Sequence, residues 1–406
     1  MIDLQERLDE LAELGLTRRM RVVAGPQGPR VVLDGQPVLL LCSNNYLGLA
    51  DHPRVREAAA DAAMRWGAGA GSSRLVSGNM SLHERLEAKL AAFKGTEAAL
   101  LFGSGYLANT GLVPALARRG EVVFSDALNH ASIIDGCRLA GAETFVYEHG
   151  DVDHLAWGLR RAEGRGALIV TDGVFSMDGD VAPLAEIVAL AREFGVRVMV
   201  DDAHGTGAVG PGGRGAVAEA GLEGEIDVLV GTLGKALGAY GAFVCCSATM
   251  RRFLVNSARS LIFSTGLPPA AAAAALAALE LLAEQPGRVE KLQANARVLR
   301  DELAREGFEV AGSTTQIVPL VIGPADLAVR VAAEALEGGV FAQAIRPPTV
   351  PEGTSRLRLT VMASHGRGEL REAARTLGRA ALRAGFRPGA GLPVAAAGRS
   401  PLPRAA

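Results

Sequence analysis

The chain has 406 residues and only four cysteines (Cys42, Cys137, Cys245 and Cys246), with no CxxC spacing among them. That excludes a disulfide framework and gives no zinc-site or redox-motif pattern, and the adjacent Cys245-Cys246 pair suits reduced thiols in a cytoplasmic protein. No metal site is expected. There is no long block of lysine or arginine, and the formal charge is −2, so nucleic-acid binding has nothing to rest on. A membrane-spanning run is also missing. The longest apolar stretch, Leu267 to Leu282, is Ala-rich, opens at Pro268-Pro269 and is interrupted by Glu280, which reads as a buried helix. Met1 to Met20 carries leucines at 4, 8, 11 and 14 among charges. It is read as an amphipathic helix without the apolar core and cleavage site of a signal peptide.

What is present is an ordinary globular composition, 49% apolar and 21% charged, in a chain long enough for a large core and a second domain. From about residue 98 to 246, short β-rich runs alternate with helical patterns: 98–102, 121–125, 143–147, 167–171, 196–200, 226–230 and 241–246. Such alternation implies crossover helices and a mainly parallel sheet covered on both faces, an α/β fold. Further on the pattern changes to helix 289–306, strand 316–322, helix 327–338, strand 356–360 and helix 368–384, a smaller α+β unit. The expected organisation is an N-terminal helix and extended segment (1–45), a large domain (46–270), a small C-terminal α+β domain (271–387) and a tail without fixed structure (388–406).

Several of the β-rich runs end directly in polar residues and glycine, and in open α/β sheets ligands bind at the carboxyl ends of strands. Val196–Val200 runs into Asp201-Asp202-Ala203-His204-Gly205-Thr206-Gly207, and the next strand runs into Thr232-Leu233-Gly234-Lys235. A lysine desolvated at such an end has a lowered pKa, and its neutral amine attacks aldehydes. A carboxylate on the neighbouring strand end, Asp201, would keep a pyridinium nitrogen protonated, which makes pyridoxal phosphate an electron sink. A lone lysine in a Gly-rich turn is ordinarily just solvated, and a lone aspartate after a strand usually caps a helix. Their occurrence together on consecutive strands, with a third polar cluster after Ala167–Thr171, is what points to chemistry. Phe102-Gly103-Ser104-Gly105-Tyr106 before an apolar helix provides backbone N–H groups for a phosphate. It lacks the third glycine of a dinucleotide fingerprint. His130, opening the next helix, could stack on an aromatic cofactor.

These strings resemble the α-oxoamine synthases, fold-type I pyridoxal-phosphate enzymes related to aspartate aminotransferase, over residues 5 to 385. The resemblance is carried by Ser43-Asn44-Asn45-Tyr46-Leu47-Gly48-Leu49, Leu128-Asn129-His130-Ala131-Ser132, Gly173 to Gly179, Val200 to Gly207 and Thr232 to Lys235. It implies a large domain with a mainly parallel mixed sheet and a smaller C-terminal domain. It also implies that Lys235 bonds to the cofactor aldehyde, Asp201 pairs with the pyridine nitrogen, His130 stacks on the ring, and Ser176 and His204 lie near the phenolic oxygen. Gly105, Tyr106 and Thr232 would hold the phosphate, helped by Ser264 and Thr265 from the partner subunit of a homodimer. Arg18 and Thr349 fall where the family contacts substrate, Asn44 lines the same cleft, and Arg346 is the candidate for the amino-acid carboxylate, which a guanidinium binds bidentately.

Within the family, the string from Ile345 to Arg358 resembles members that condense L-alanine with a pimeloyl thioester, on coenzyme A or a carrier protein, at the start of biotin ring assembly. Glycine-using members are the alternative. Two departures are present: Asn129, where serine is common in the alanine-using members, and Gly71-Ser72-Ser73-Arg74 in place of Gly-Gly-Ser-Arg.

Overall fold

The computed structural model describes residues 3–13, 16–310 and 312–389. The tail expected to lack fixed structure lies, from residue 390 onward, outside the described residues.

Seven strands form the main sheet: β1 (Ala98–Phe102), β2 (Val122–Asp126), β3 (Glu143–Tyr147), β4 (Gly166–Asp172), β5 (Arg197–Asp201), β6 (Val228–Thr232) and β7 (Ala242–Cys246). Their order is β1-β7-β6-β5-β4-β2-β3, and β7 runs antiparallel to both β1 and β6 while β6, β5, β4, β2 and β3 pair in parallel. The interior strands are buried along nearly their whole length, as expected of parallel strands covered on both faces. The parallel set ends on one edge in polar side chains: Asp126, Asp172, Asp201 and Thr232 are the last residues of β2, β4, β5 and β6. Cys245 and Cys246 lie inside β7, where burial pushes both thiols up to about 12, so they are unreactive.

Two helices turn back over this edge. Helix α1 (Gly105–Leu116) is capped by Ser104, whose hydroxyl accepts from Leu107 N at 3.2 Å. Helix α2 (Ala131–Ala140) has His130 as its N-cap, and α1 and α2 pack together. The Ala-rich run is a helix, Pro269–Glu284, with ten buried residues packed against Pro53–Trp66. No helix among the described residues is long and apolar enough to cross a membrane.

The C-terminal part carries an antiparallel sheet in the order Ile317–Gly323, Ser355–Thr360, Gln343–Ile345, with helices Gly287–Arg305, Ala325–Glu337 and Arg367–Arg383 around it. An N-terminal hairpin, Arg30–Leu33 with Gln36–Leu40, joins this part by parallel pairing of Leu39-Leu40 with Val340-Phe341. The hairpin turns at Asp34-Gly35, both in the left-handed region (φ 48° and 85°), the conformation a tight two-residue hairpin demands. The first helix, Leu4–Glu13, is shorter than the expected Met1–Met20 and buries none of its residues.

Candidate active site

The strand-end carboxylates and two loops converge around Lys235. Lys235 follows β6, and its loop closes at Gly238, which has φ of +62° and packs so closely on Leu49-Ala50 that a Cβ would meet Ala50 N at 2.3 Å. The Ser43–Leu49 motif is thereby seated beneath the lysine. The Lys235 Nζ lies 2.7 Å from His204 Nε2, and His204 Nδ1 lies 2.7 Å from the Tyr46 hydroxyl. Burial above all, with opposition from Asp201 and Asp172 and help from the Arg358 charge, brings the Lys235 amine down to about 8. His204 is pushed well below its ordinary range by burial and then by Lys235 and Arg358, so it is neutral. The Tyr46 hydroxyl also reaches Asn44 Oδ1 at 3.1 Å, so Asn44, Tyr46, His204 and Lys235 form one hydrogen-bonded line.

On the far side, Asp201 is 4% exposed and accepts from Ala203 N at 3.0 Å and from Asn109 Nδ2 at 2.6 Å. Asp172 stands in register with it on β4. Its carboxyl is pushed well up, first by burial and then by the Asp201 charge, and it accepts from His130 N at 3.0 Å. The His130 ring is exposed on the crevice, while Ser132 holds its Nδ1 edge at 2.7 Å. Surrounding protein dehydrates the imidazole enough to hold its pKa below the usual value despite the open ring face.

The remaining expected residues fall into three groups. Gly105 opens α1, and the space where a Cβ would stand is empty to 4 Å, which leaves room for an anion before the helix N-terminus. Tyr106 is half-exposed and donates to Asp135 Oδ2 at 2.6 Å. Thr232 donates to Gly241 O at 3.1 Å and accepts from Gly234 N. Ser264 and Thr265 line a small cavity beside Phe102 and Gly103 of their own chain, and Thr265 bridges Ser73 of the Gly71–Arg74 string. Arg346 donates to Thr17 O at 2.7 Å, next to Arg18, and its own carbonyl accepts from Thr349 N, so Arg18, Arg346 and Thr349 share one patch.

The guanidinium that does meet the lysine's network is Arg358, only 7% exposed. It donates to Ser176 O, to Asn44 Oδ1 at 3.3 Å and to the Tyr46 hydroxyl at 3.3 Å. Sequence reasoning passed over Arg358, Asp172, Tyr46 and Asn109. Asp172 had the same signal as Asp201, a carboxylate ending a β-rich run. In Arg356-Leu357-Arg358, neither burial nor direction could be read locally. The unusual Asn129 is structural: its amide donates to Ser125 Oγ at 2.9 Å and Val170 O at 2.8 Å, and its oxygen accepts from Asp172 N.

An amine with a depressed pKa, a buried carboxylate opposite it, an exposed imidazole face beside them and an open helix N-terminus match the aldehyde, pyridine nitrogen, ring and phosphate of one molecule. A fold of this order with such a donor set defines a pyridoxal-phosphate-dependent enzyme of fold type I. The profile of the family "Aminotransferase class I and II" matches residues 36–377, and the chain belongs to that family. It is 56% identical to 8-amino-7-oxononanoate synthase of Citrifermentans bemidjiense, over 91% of this chain and 95% of that one. The enzyme of the same name from Geobacter sulfurreducens is 54% identical over 92% and 96%. Among solved structures, serine palmitoyltransferase from S. paucimobilis, with PLP and myriocin bound, superposes with a TM-score of 0.90 at 34% identity, covering 95% of this chain and all of that one. The cofactor is pyridoxal 5'-phosphate.

Proposed function

We propose that the chain is an acyltransferase that condenses L-alanine with a pimeloyl thioester, carried by coenzyme A or by a carrier protein. It releases 8-amino-7-oxononanoate, carbon dioxide and the free thiol, on the route to biotin in the cytoplasm. The observation that carries amino-acid chemistry is the Lys235 amine, 2.7 Å from His204 and brought down to about 8 by burial against the pull of Asp201 and Asp172. The substrates rest on the names of the relatives that match almost end to end.

Bound pyridoxal phosphate supplies an aldehyde that captures amines and a ring that draws electron density from the α-carbon. Asp201 holds a proton at the ring nitrogen, His130 covers one ring face, and Ser176 and His204 flank the phenolic oxygen. The amides of Gly105 and Tyr106 with the Thr232 hydroxyl hold the phosphate, and Ser264 and Thr265 reach the site of the partner subunit in a homodimer. Arg358, with Asn44, binds the alanine carboxylate, where Arg346 was expected; Arg18, Arg346 and Thr349 line the approach of the acyl chain.

The Lys235 amine would take the proton from alanine Cα. A bond forms from that carbon to the thioester carbonyl carbon, the C–S bond breaks, and the thiolate leaves and takes up a proton. The bond from Cα to the carboxylate then breaks, carbon dioxide departs, and Lys235 returns its proton to the same carbon.

One observation favours a different amino acid: the S. paucimobilis serine palmitoyltransferase superposes at 0.90, against 0.74 for 8-amino-7-oxononanoate synthase of Francisella tularensis at 26% identity. Turnover of alanine, glycine and serine with pimeloyl-CoA, read by mass spectrometry of the product, separates these. The alanine product is expected to dominate, and dominance of either other amino acid overturns the substrate assignment.

A further inference from the structure

Asn109 and Ser132 have no part in the reaction as described so far, yet both are wholly buried within the site. Asn109 comes from α1 and Ser132 from α2, and together they bridge the gap between Asp201 on β5 and His130 at the start of α2. The Asn109 amide nitrogen donates one hydrogen to Asp201 Oδ2 at 2.6 Å and the other to Ser132 Oγ at 2.9 Å. Ser132 Oγ lies 2.7 Å from His130 Nδ1, which also receives Ser132 N at 3.3 Å.

Counting donors fixes the direction of this chain. Reversing the Asn109 amide would set its oxygen against the Asp201 carboxylate, acceptor against acceptor, so the nitrogen faces Asp201. An amide nitrogen only donates, so Ser132 Oγ accepts from it; the Ser132 backbone N–H points at His130 Nδ1 and makes that nitrogen an acceptor, so the hydroxyl hydrogen goes to it as well. A ring nitrogen that accepts from both the hydroxyl and the Ser132 amide carries no proton itself. The ring hydrogen of a neutral His130 therefore sits on Nε2.

We propose that Asn109 and Ser132 are positioning residues that lock His130 into its neutral Nε2–H tautomer and tie its orientation to that of the Asp201 carboxylate. The inference rests on the reading of His130 and Asp201 as cofactor contacts, and it makes the stacking ring and the ring-nitrogen partner one rigid unit. A neutral imidazole lies against an electron-poor ring without adding a second positive charge there.

Other groups face His130 from every side: Asp201 and Asp172 from strand ends, Lys235 and His204 from the two loops, and Asp135 from its own helix. Dehydration and Lys235 oppose an imidazolium and outweigh Asp201 and Asp135, which favour one, and the hydroxyl at Nδ1 adds to that bias.

The test uses the full-length holoenzyme labelled with 15N-histidine, as wild type and as Ser132→Ala, Ser132→Thr and Asn109→Leu, the last keeping the volume without the donors. In the wild type, Nδ1 is expected to show the shift of an unprotonated nitrogen throughout the neutral range. In Ser132→Ala the two tautomers should mix and the acid limb of the kcat/KM profile should rise by about one pH unit, the value of one neutral hydrogen bond. Ser132→Thr should restore both. Asn109→Leu, if Ser132→Ala proves unstable, should shift the absorption band of the bound cofactor through Asp201 and also loosen the His130 tautomer. An unchanged tautomer and pH profile in Ser132→Ala, or in Asn109→Leu, overturns the relay, as does a loss of rate that Ser132→Thr fails to rescue. If adding pyridoxal phosphate to the wild-type chain leaves every His130 shift unmoved, the cofactor reading itself fails, which is a separate result.

Discussion

Lys235 Nζ and His204 Nε2 stand 2.7 Å apart, and the lysine charge adds to burial in holding His204 well below its ordinary range. The positive charge of the lysine makes an imidazolium at 204 unfavourable, while burial is what brings the lysine itself down to about 8. The consequence is an amine whose neutral, nucleophilic form becomes available more than two pH units below that of an ordinary lysine.

Capture of pyridoxal phosphate by the apo chain needs the neutral amine, which is the minor form below about 8. The rate of capture should rise about tenfold per pH unit up to about 8 and then level off, whereas an unperturbed lysine would keep rising to about 10.4. Stopped-flow absorbance checks this, and borohydride followed by peptide mapping should label residue 235 alone. A plateau near 10 would show that the amine is not dehydrated.

Arg358 holds the only buried guanidinium described beside Asn44 and Tyr46. Arg358→Lys loses the planar fork, and KM for the amino acid should rise by about 10- to 100-fold, in line with a charged hydrogen-bond pair. Arg346→Lys, on the patch with Thr17, should leave that KM nearly unchanged and act on the acyl donor instead. Steady-state kinetics in both substrates distinguish the two arginines, and the reverse pattern would return the carboxylate to Arg346.

Asn129 ties β2 to β4 through three hydrogen bonds. Asn129→Ser is too short to span them and should destabilise the fold by about 1–3 kcal/mol while leaving the preference for alanine over glycine as it was. Denaturant unfolding beside competition turnover reads both, and a switch towards glycine would make Asn129 a specificity residue.

His149 bridges Asp126 at 3.0 Å and Asp180 at 2.8 Å. Burial opposes its charge, but the two carboxylates outweigh burial and raise it to about 10. Because the folded value lies above the unfolded one of about 6.5, the stabilisation is complete below about 6.5 and is lost as pH climbs towards 10. Thermal midpoints of His149→Gln should fall below wild type by a few degrees at pH 6, with the gap closing by pH 10. A gap that stays constant across that range would mean the ring acts by its edge-to-face packing on Phe175, 4.4 Å between centroids, rather than by charge.

The contrast between Asp201 and Asp172 shows how far local reading reaches. Both end β-rich runs, and the first was legible because histidine and glycines follow it within a few residues. Asp172 acquires its meaning only from standing in register with Asp201 across a strand pair. The N-terminal hairpin had a signal in Asp34-Gly35, but its parallel partner, Val340-Phe341, lies some 300 residues further on and is too short to be read as a strand.

The sequence by itself determined the alternating α/β pattern, the lysine and aspartate at successive strand ends, the histidine opening α2 and the glycine turn before α1. Each of these is written in adjacent residues, through periodicity, turn chemistry and strand-end polarity. Only the tertiary structure decided that β7 slots antiparallel between β1 and β6, that Asn109 meets Asp201, and that Arg358 enters the lysine's network. Those contacts join residues far apart in the chain. Their geometry comes from burying both faces of one sheet, a constraint on the whole molecule that no short stretch of residues can express.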